Sequence, residues 1–494
     1  MSFFKEYESF FLLSLIFIPF ISGIASFFIK QNKIRRVMLI SVSLIHFILS
    51  IHFISSDSNS IKILSGLSYR DGLSDIFARI SLFTSSFLFL LVSFYLIKYF
   101  DMEYQAKRTD EEGFILSDEP EAVFTGFILL FLSAMTMVHF SAHMGLLWAS
   151  IEATTLFSAP LIYFHRTKKS LEATWKYLII CSVGIALALI GTFFFSLGVE
   201  DGDLYFNLFS KSGNELWFKL GFIFIFIGYA TKAGIAPMHT WLVDAHSEAP
   251  SAISALLSGA LLNCAMLGIA RASDFLPPYI REQFIPSIFI LFGFFSILIS
   301  SVFIFNSKEY KRALAYSSIE NMGIILIFLG LSYLGYNDIN DDLSAALFIT
   351  VLGHSMVKSG IFLLAGLILV YYKTKKIDEV SFMAKNTPYT SLLWFLGFIL
   401  LLGVPPSPLF LSKYFLFKYV YLSKNWWLFY SLIILFIMIL IGFSKMIIKM
   451  VYSGGEKIEI KEDKEMLIPS ALLFASSFVF FSLFLFWLLK GEGL

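Results

Sequence analysis

The chain has 494 residues, of which 57% are hydrophobic and 15% charged, with a formal net charge of +1. A soluble domain carries roughly 25% charged residues, and a larger core cannot cover the deficit because a water-facing surface needs polar groups. The near-neutral balance excludes an electrostatic nucleic-acid partner. Cys181 and Cys264 are far apart and form neither a disulfide framework nor a zinc or iron–sulfur ligand spacing.

Crossing hydrocarbon takes about 20 mostly apolar residues, and only a helix satisfies its own backbone there. Such runs predict an all-α polytopic membrane protein with fourteen spans, near 10–30, 34–54, 79–100, 122–142, 143–164, 172–198, 216–238, 250–270, 284–306, 313–335, 343–371, 389–415, 426–448 and 467–489. The first run lacks a strongly basic start, so it reads as a retained helix rather than a cleaved signal. Connections near 55–78, 101–121 and 453–466 are short and charged, which leaves a single membrane domain over 1–494. Of the 37 Lys and Arg, 23 fall on the face formed by loops after odd-numbered spans and 11 on the other. The positive-inside rule then predicts an inner (cytoplasmic) membrane protein with both termini on the outer face.

Three cations remain inside spans: Lys232, Lys358 and Lys413. A lysine at a helix centre costs about 2.5–3.5 kcal/mol on insertion scales. One near a helix end escapes this by snorkelling. Two acids are placed to partner them: Glu152 in the fifth span and Glu320 in the tenth. Desolvation and an opposite charge push an ionisable group in opposite directions, so a Glu–Lys pair that forms and separates can load and release a proton. His354 precedes Lys358 by one helical turn and is a candidate relay.

The seventh span, GFIFIFIGYATKAGIAPMHTWL, is interrupted at Gly234 and Pro237; the twelfth, GFILLLGVPPSPLFLSKYFLF, at Pro405, Pro406 and Pro408. Proline removes a backbone donor, and breaks at membrane depth persist where protein or a wet cavity covers them. Interrupted spans at matching places point to inverted repeats. Spans 4–8 (122–270) and 9–13 (284–448) form such units, flanked by helices 1–3 (1–121) and helix 14 (467–489). ASIEA and SSIEN then share the second helix of each unit, and Lys232 and Lys413 the broken fourth. His239, Asp244, His246 and Glu248 crowd the stretch between spans 7 and 8. Their spacing lacks the His–x–x–x–His of helical zinc sites. A hydrogen-bonded reentrant turn beside a proton path is expected, with His239 helping.

GYATKAGIAPMHTWLVDAHSEAPSAISALLSG, KRALAYSSIENMG, GHSMVKSGIFLLAG and GVPPSPLFLSK resemble the antiporter-like membrane subunits of respiratory complex I and its relatives. Within that superfamily they resemble the hydrogenase-4 component F type, over about residues 120–450. The resemblance implies that Glu152 tunes a pump lysine, Lys232, with Lys358 on a central polar axis and Lys413 as the terminal lysine. It also implies other membrane and peripheral subunits as partners, carrying whatever iron–sulfur, nickel–iron or flavin centres the complex uses, with no cofactor on this chain. Relatives often carry Lys or His in the eighth helix where this chain has Asn263, which cannot take up a proton. The expected function is proton translocation within a redox complex of hydrogenase-4 or NADH–quinone oxidoreductase type. A cation/proton antiporter subunit and an ion-coupled partner in inorganic-carbon uptake are the alternatives.

Overall fold

The computed structural model describes residues 8–55, 73–103, 118–199, 213–334, 340–454 and 460–489, with short pieces of the connections between them. The helices are α1 (Glu8–Phe28), α2 (Asn32–Ser55), α3 (Leu73–Glu103), α4 (Glu121–Phe140), α5 (Met144–Ile162), α6 (Lys168–Gly198), α7 (Glu215–Ala233), α8 (Thr240–Glu248) and α9 (Ser251–Asp274). There follow α10 (Pro278–Phe305), α11 (Tyr310–Ser332), α12 (Asn340–Tyr372), α13 (Pro388–Leu402), α14 (Pro408–Leu422), α15 (Trp426–Tyr452) and α16 (Lys464–Leu489). Thirteen are long and apolar enough to cross a membrane singly. The pair α13 and α14 makes the remaining crossing. Two small strand pairs, Lys62–Leu64 with Leu67–Ser68 and Arg108–Thr109 with Ile115–Leu116, lie in the connections.

Burial grades inward. In α9 and α11 the membrane window is wholly enclosed, whereas α1, α2 and α16 turn two thirds of theirs outward, with Phe28, Val37 and Phe486 exposed. The two enclosed helices carry Asn263, Arg271, Lys311, Ser317 and Glu320 of the polar residues described below. The stretch expected as a reentrant turn is instead the helix α8, the second half of the broken seventh span. Span three starts at Leu73 rather than 79, and the twelfth runs on to Leu422 rather than 415.

Both breaks are built alike. α7 ends on Gly234 at φ +70° and α13 on Gly403 at φ +78°. In this left-handed region a glycine closes a helix without Cβ strain. Cis Ala236–Pro237 and cis Pro405–Pro406 follow. Trp241 Nε1 donates to the Thr231 carbonyl at 2.8 Å, and Ser407 Oγ to the Leu400 carbonyl at 2.6 Å, so carbonyls freed at each break find donors.

Lipid offers no hydrophobic drive between helices, so close backbone approach carries the packing. A Cβ at Gly228 of α7 would lie 2.4 Å from the Gly184 carbonyl oxygen of α6, and one at Gly191 2.5 Å from the Gly221 oxygen. Gly228→Val is expected to destabilise the bundle by about 1–3 kcal/mol through overpacking, read as a lowered unfolding midpoint in detergent. An unchanged midpoint would mean that α6 and α7 do not depend on this contact.

Candidate functional site

The polar core begins on α11. Lys311, Leu314, Ser317 and Glu320 recur every three residues and wind half a turn around an enclosed helix. Each meets a partner from another helix. Lys311 Nζ donates to the Ala249 carbonyl at the end of α8, at 2.8 Å. Lys358 Nζ, from α12, donates to Ser317 Oγ at 2.7 Å and to the Leu314 carbonyl. Lys413 Nζ, from α14, lies 3.2 Å from Glu320 Oε1 and donates at 3.2 Å to the Leu402 carbonyl, at the end of α13. The Lys413–Glu320 contact is an ion pair without hydrogen-bond alignment. Nine residues of helix rise about 14 Å, so these contacts are spread over about half the depth of the hydrocarbon.

Beside it, Lys232 at the end of α7 is fully buried. Its ammonium donates to Thr155 Oγ1 at 2.8 Å and to the Tyr177 hydroxyl at 2.6 Å, and Tyr177 in turn lies 2.6 Å from Ser158 Oγ. Glu152, one turn from Thr155 on α5, instead accepts from Ser182 Oγ of α6 at 3.2 Å. The structure thus brings Glu320 to Lys413 but leaves Glu152 and Lys232 without a direct hydrogen bond.

His354 is buried on α12, with Nε2 3.3 Å from the Ser258 carbonyl. His239 sits at the start of α8, and its Nδ1 has no hydrogen-bond partner of good geometry among the described residues. His246 is buried against the Phe362 ring, whose centroid Lys358 Nζ approaches to 5.0 Å, and neither of its ring nitrogens has a partner among the described residues. Asp244 pairs with Lys176 and Arg312, and Glu248 with Lys375, so the acids of α8 tie it to basic residues of α6, α11 and the α12–α13 connection. Among the described residues no three His, Cys, Asp or Glu cluster as a metal site needs. Pro237, Pro405 and Pro406 all lie within the two breaks.

Asn263 of α9 donates from Nδ2 to Ser355 Oγ and to the Gly259 carbonyl, both at 2.9 Å. It follows a π-turn at Leu257–Leu261 that the sequence does not announce. Sequence reasoning also missed a second buried network. His46 of α2 lies between Ser86 and Thr136, at 2.8 and 2.9 Å, and His139 of α4 sits 2.9 Å from Ser81 and 4.0 Å from Cys264. Arg271, buried at the end of α9, donates to the carbonyls of Val138, His139 and Ser141. The signal for both histidines was a polar residue inside an apolar run, the same signal that marked Lys232.

Buried cations held on enclosed and interrupted helices define a multi-pass membrane protein with an ionisable interior. The profile of the NADH:quinone oxidoreductase/Mrp antiporter transmembrane family matches residues 141–442, and the chain belongs to this family. It is 37% identical over 292 residues to the hydrogenase-4 component F homolog of Methylacidiphilum infernorum, covering 57% of this chain and 60% of that relative. The chain spans about half to three fifths of the length of the relatives it matches. Its fold is similar to a chain of the membrane-bound sulfane sulfur reductase, an archaeal respiratory membrane complex, with TM-score 0.82, 20% identity and 96% of each chain covered. It is also similar to a chain of the Mrp complex from Dietzia sp., with TM-score 0.80 and 16% identity, over 96% of this chain and 94% of that one.

Removing one partner of a buried pair costs about 3–5 kcal/mol, whereas replacing both with apolar groups is often neutral. Glu320 is 2% and Lys413 15% side-chain exposed. Lys413→Met alone is therefore expected to lower the unfolding midpoint of the reconstituted protein, and Glu320→Leu with Lys413→Met to recover most of the loss. Additive losses in this cycle would show that the two groups do not stabilise each other.

Proposed function

We propose that the chain is a proton-translocating membrane subunit of a multisubunit redox complex of the hydrogenase-4 or NADH–quinone oxidoreductase kind. The observation that carries this reading is a set of buried ammonium groups, each within hydrogen-bond reach of a group it can exchange for another. Lys232 is held by neutral hydroxyls with a carboxylate one helical turn away, while Lys413 already faces its carboxylate. Moving charge onto or off Glu152 changes the field at Lys232 and with it the amine's hold on a proton. In this reading Lys358, His354, His239 and the Asn263–Ser355 contact carry the path between the two sites, and ordered water completes it where Asn263 cannot itself take up a proton.

In this reading spans 4–8 and 9–13 act as two related units, which the matching breaks at Gly234 and Gly403 support. Partner subunits hold the redox centres, and their electron transfer drives the toggling here. The membrane is the inner one, with both termini on its outer face. A cation/proton antiporter role is the second reading, favoured by the likeness to the Mrp complex chain; sodium-dependent rather than redox-dependent proton movement would select it.

Lys232→Ala is expected to leave complex yield unchanged while lowering proton uptake into reconstituted vesicles at least tenfold. Pumping at the wild-type rate would remove Lys232 from the path. The orientation has its own check: a reporter active only in the cytoplasm, fused after Leu494, should stay silent, and a signal would reverse the assignment of faces.

A further inference from the structure

On the face that carries most of the basic residues, the ends of α10 and α15 part to leave a groove of about 620 Å³. Its floor is apolar. Gly442 lets α15 approach α10 so closely that a Cβ there would lie 3.0 Å from the Phe305 Cα, and Phe305 and Met446 line the walls. Its rim is charged. Lys445 and Lys449, one turn apart on α15, both border the opening with Asp378. Lys449 pairs with Asp378 at 2.5 Å. Lys445 lies 3.9 Å from the centroid of the Phe305 ring and has no carboxylate within ion-pair distance among the described residues. Among the described residues the rim therefore holds one uncompensated positive charge above an apolar slot, and the exposed Tyr452 ring beside it suits the headgroup level of a bilayer.

Two other grooves between helices provide the contrast. In one, of about 360 Å³, Lys98 is already neutralised by Glu465 at 2.8 Å. In the other, of about 290 Å³, Phe348, Phe480 and Trp487 line walls that bear no charge. Both suit acyl chains without regard to headgroup.

We propose that the α10–α15 groove is a binding site for a monoanionic phospholipid of the phosphatidylglycerol class. Its phosphodiester lies between Lys445 and Lys449, and an acyl chain lies along Phe305 and Met446. A −1 headgroup matches the single surplus charge, and basic pockets between helices on the cytoplasmic side commonly hold anionic lipid. Phosphatidylcholine has the same chains, but its own choline cation cancels the attraction. This site makes no use of the proton path and stands or falls apart from it.

The test is the purified complex in nanodiscs of equimolar phosphatidylglycerol and phosphatidylcholine, with retained lipid identified by native mass spectrometry. Wild type should retain phosphatidylglycerol in preference. Lys445→Gln should lower that retention about fivefold, the contribution of one interfacial basic residue, and Lys445→Arg should keep it. Lys445 makes no hydrogen bond among the described residues, so the unfolding midpoint of Lys445→Gln should fall only slightly, through loss of its contact with the Phe305 ring. Equal retention of the two lipids by wild type overturns the proposal, and this comparison needs no variant to fold. Unchanged phosphatidylglycerol in Lys445→Gln also overturns it. So does loss of a neighbouring subunit from that variant with lipid unchanged, which would assign the groove to a protein contact.

Discussion

An ammonium group placed in hydrocarbon must be given oxygen, and this fold is arranged around that requirement. Lys232, Lys311, Lys358 and Lys413 are buried to 15% side-chain exposure or less, and each is met differently: Lys232 by two hydroxyls, Lys311 by a carbonyl, Lys358 by a carbonyl and a hydroxyl, Lys413 by a carboxylate and a carbonyl. A carbonyl inside an α-helix can accept a second donor, as Leu314 does from Lys358, but only those at its ends lack an intrahelical partner. Interrupting the seventh and twelfth spans places helix ends at membrane depth, and the ends of α8 and α13 supply acceptors to Lys311 and Lys413. The breaks thus do more than bend the chain.

The two acids show two stages of one relationship. Glu320 faces its lysine directly, whereas Glu152 leans on Ser182 and leaves Lys232 to Thr155 and Tyr177. A hydroxyl both donates and accepts, so Thr155 and Tyr177 can hold the amine in either protonation state. A carboxylate holds only one of them well. Tyr177 also contacts Lys232 through its ring face, 4.7 Å away, and packs at a tilt against Trp241 of α8, linking the lysine to the far side of the break.

Much of this was legible in the sequence because hydrocarbon makes charge conspicuous. Lys232, Lys358 and Glu320 stood out in apolar runs, and Gly234 with Pro237 and Pro405, Pro406 and Pro408 marked the two interruptions. What escaped was depth near span ends. Lys311 and Arg271 read as loop residues, yet both are buried, because the enclosed helices α9 and α11 are covered by neighbours up to their last turns. Partner choice escaped as well: the resemblance couples Glu152 to Lys232, but only packing decides that Glu152 bonds to Ser182 and Lys232 to Thr155 and Tyr177. His239, Asp244, His246 and Glu248 looked like a turn because their polarity hid a helix that buries one flank and pairs the other with basic residues.

The π-turn at Leu257–Leu261 has a consequence for how such chains diverge. A π-turn holds one residue more than an α-turn and disturbs the ladder only locally. Here it directs the Ser258 and Gly259 carbonyls towards His354 and Asn263. A relative one residue shorter at this point could close the turn into plain α-helix while Ser251 on one side and Arg271 on the other kept their places. Length is therefore adjustable at the centre of the most enclosed helix, where an insertion would ordinarily be least tolerated. The cost of shortening would fall on the two carbonyls that now serve the axis, leaving His354 and Asn263 to find other company.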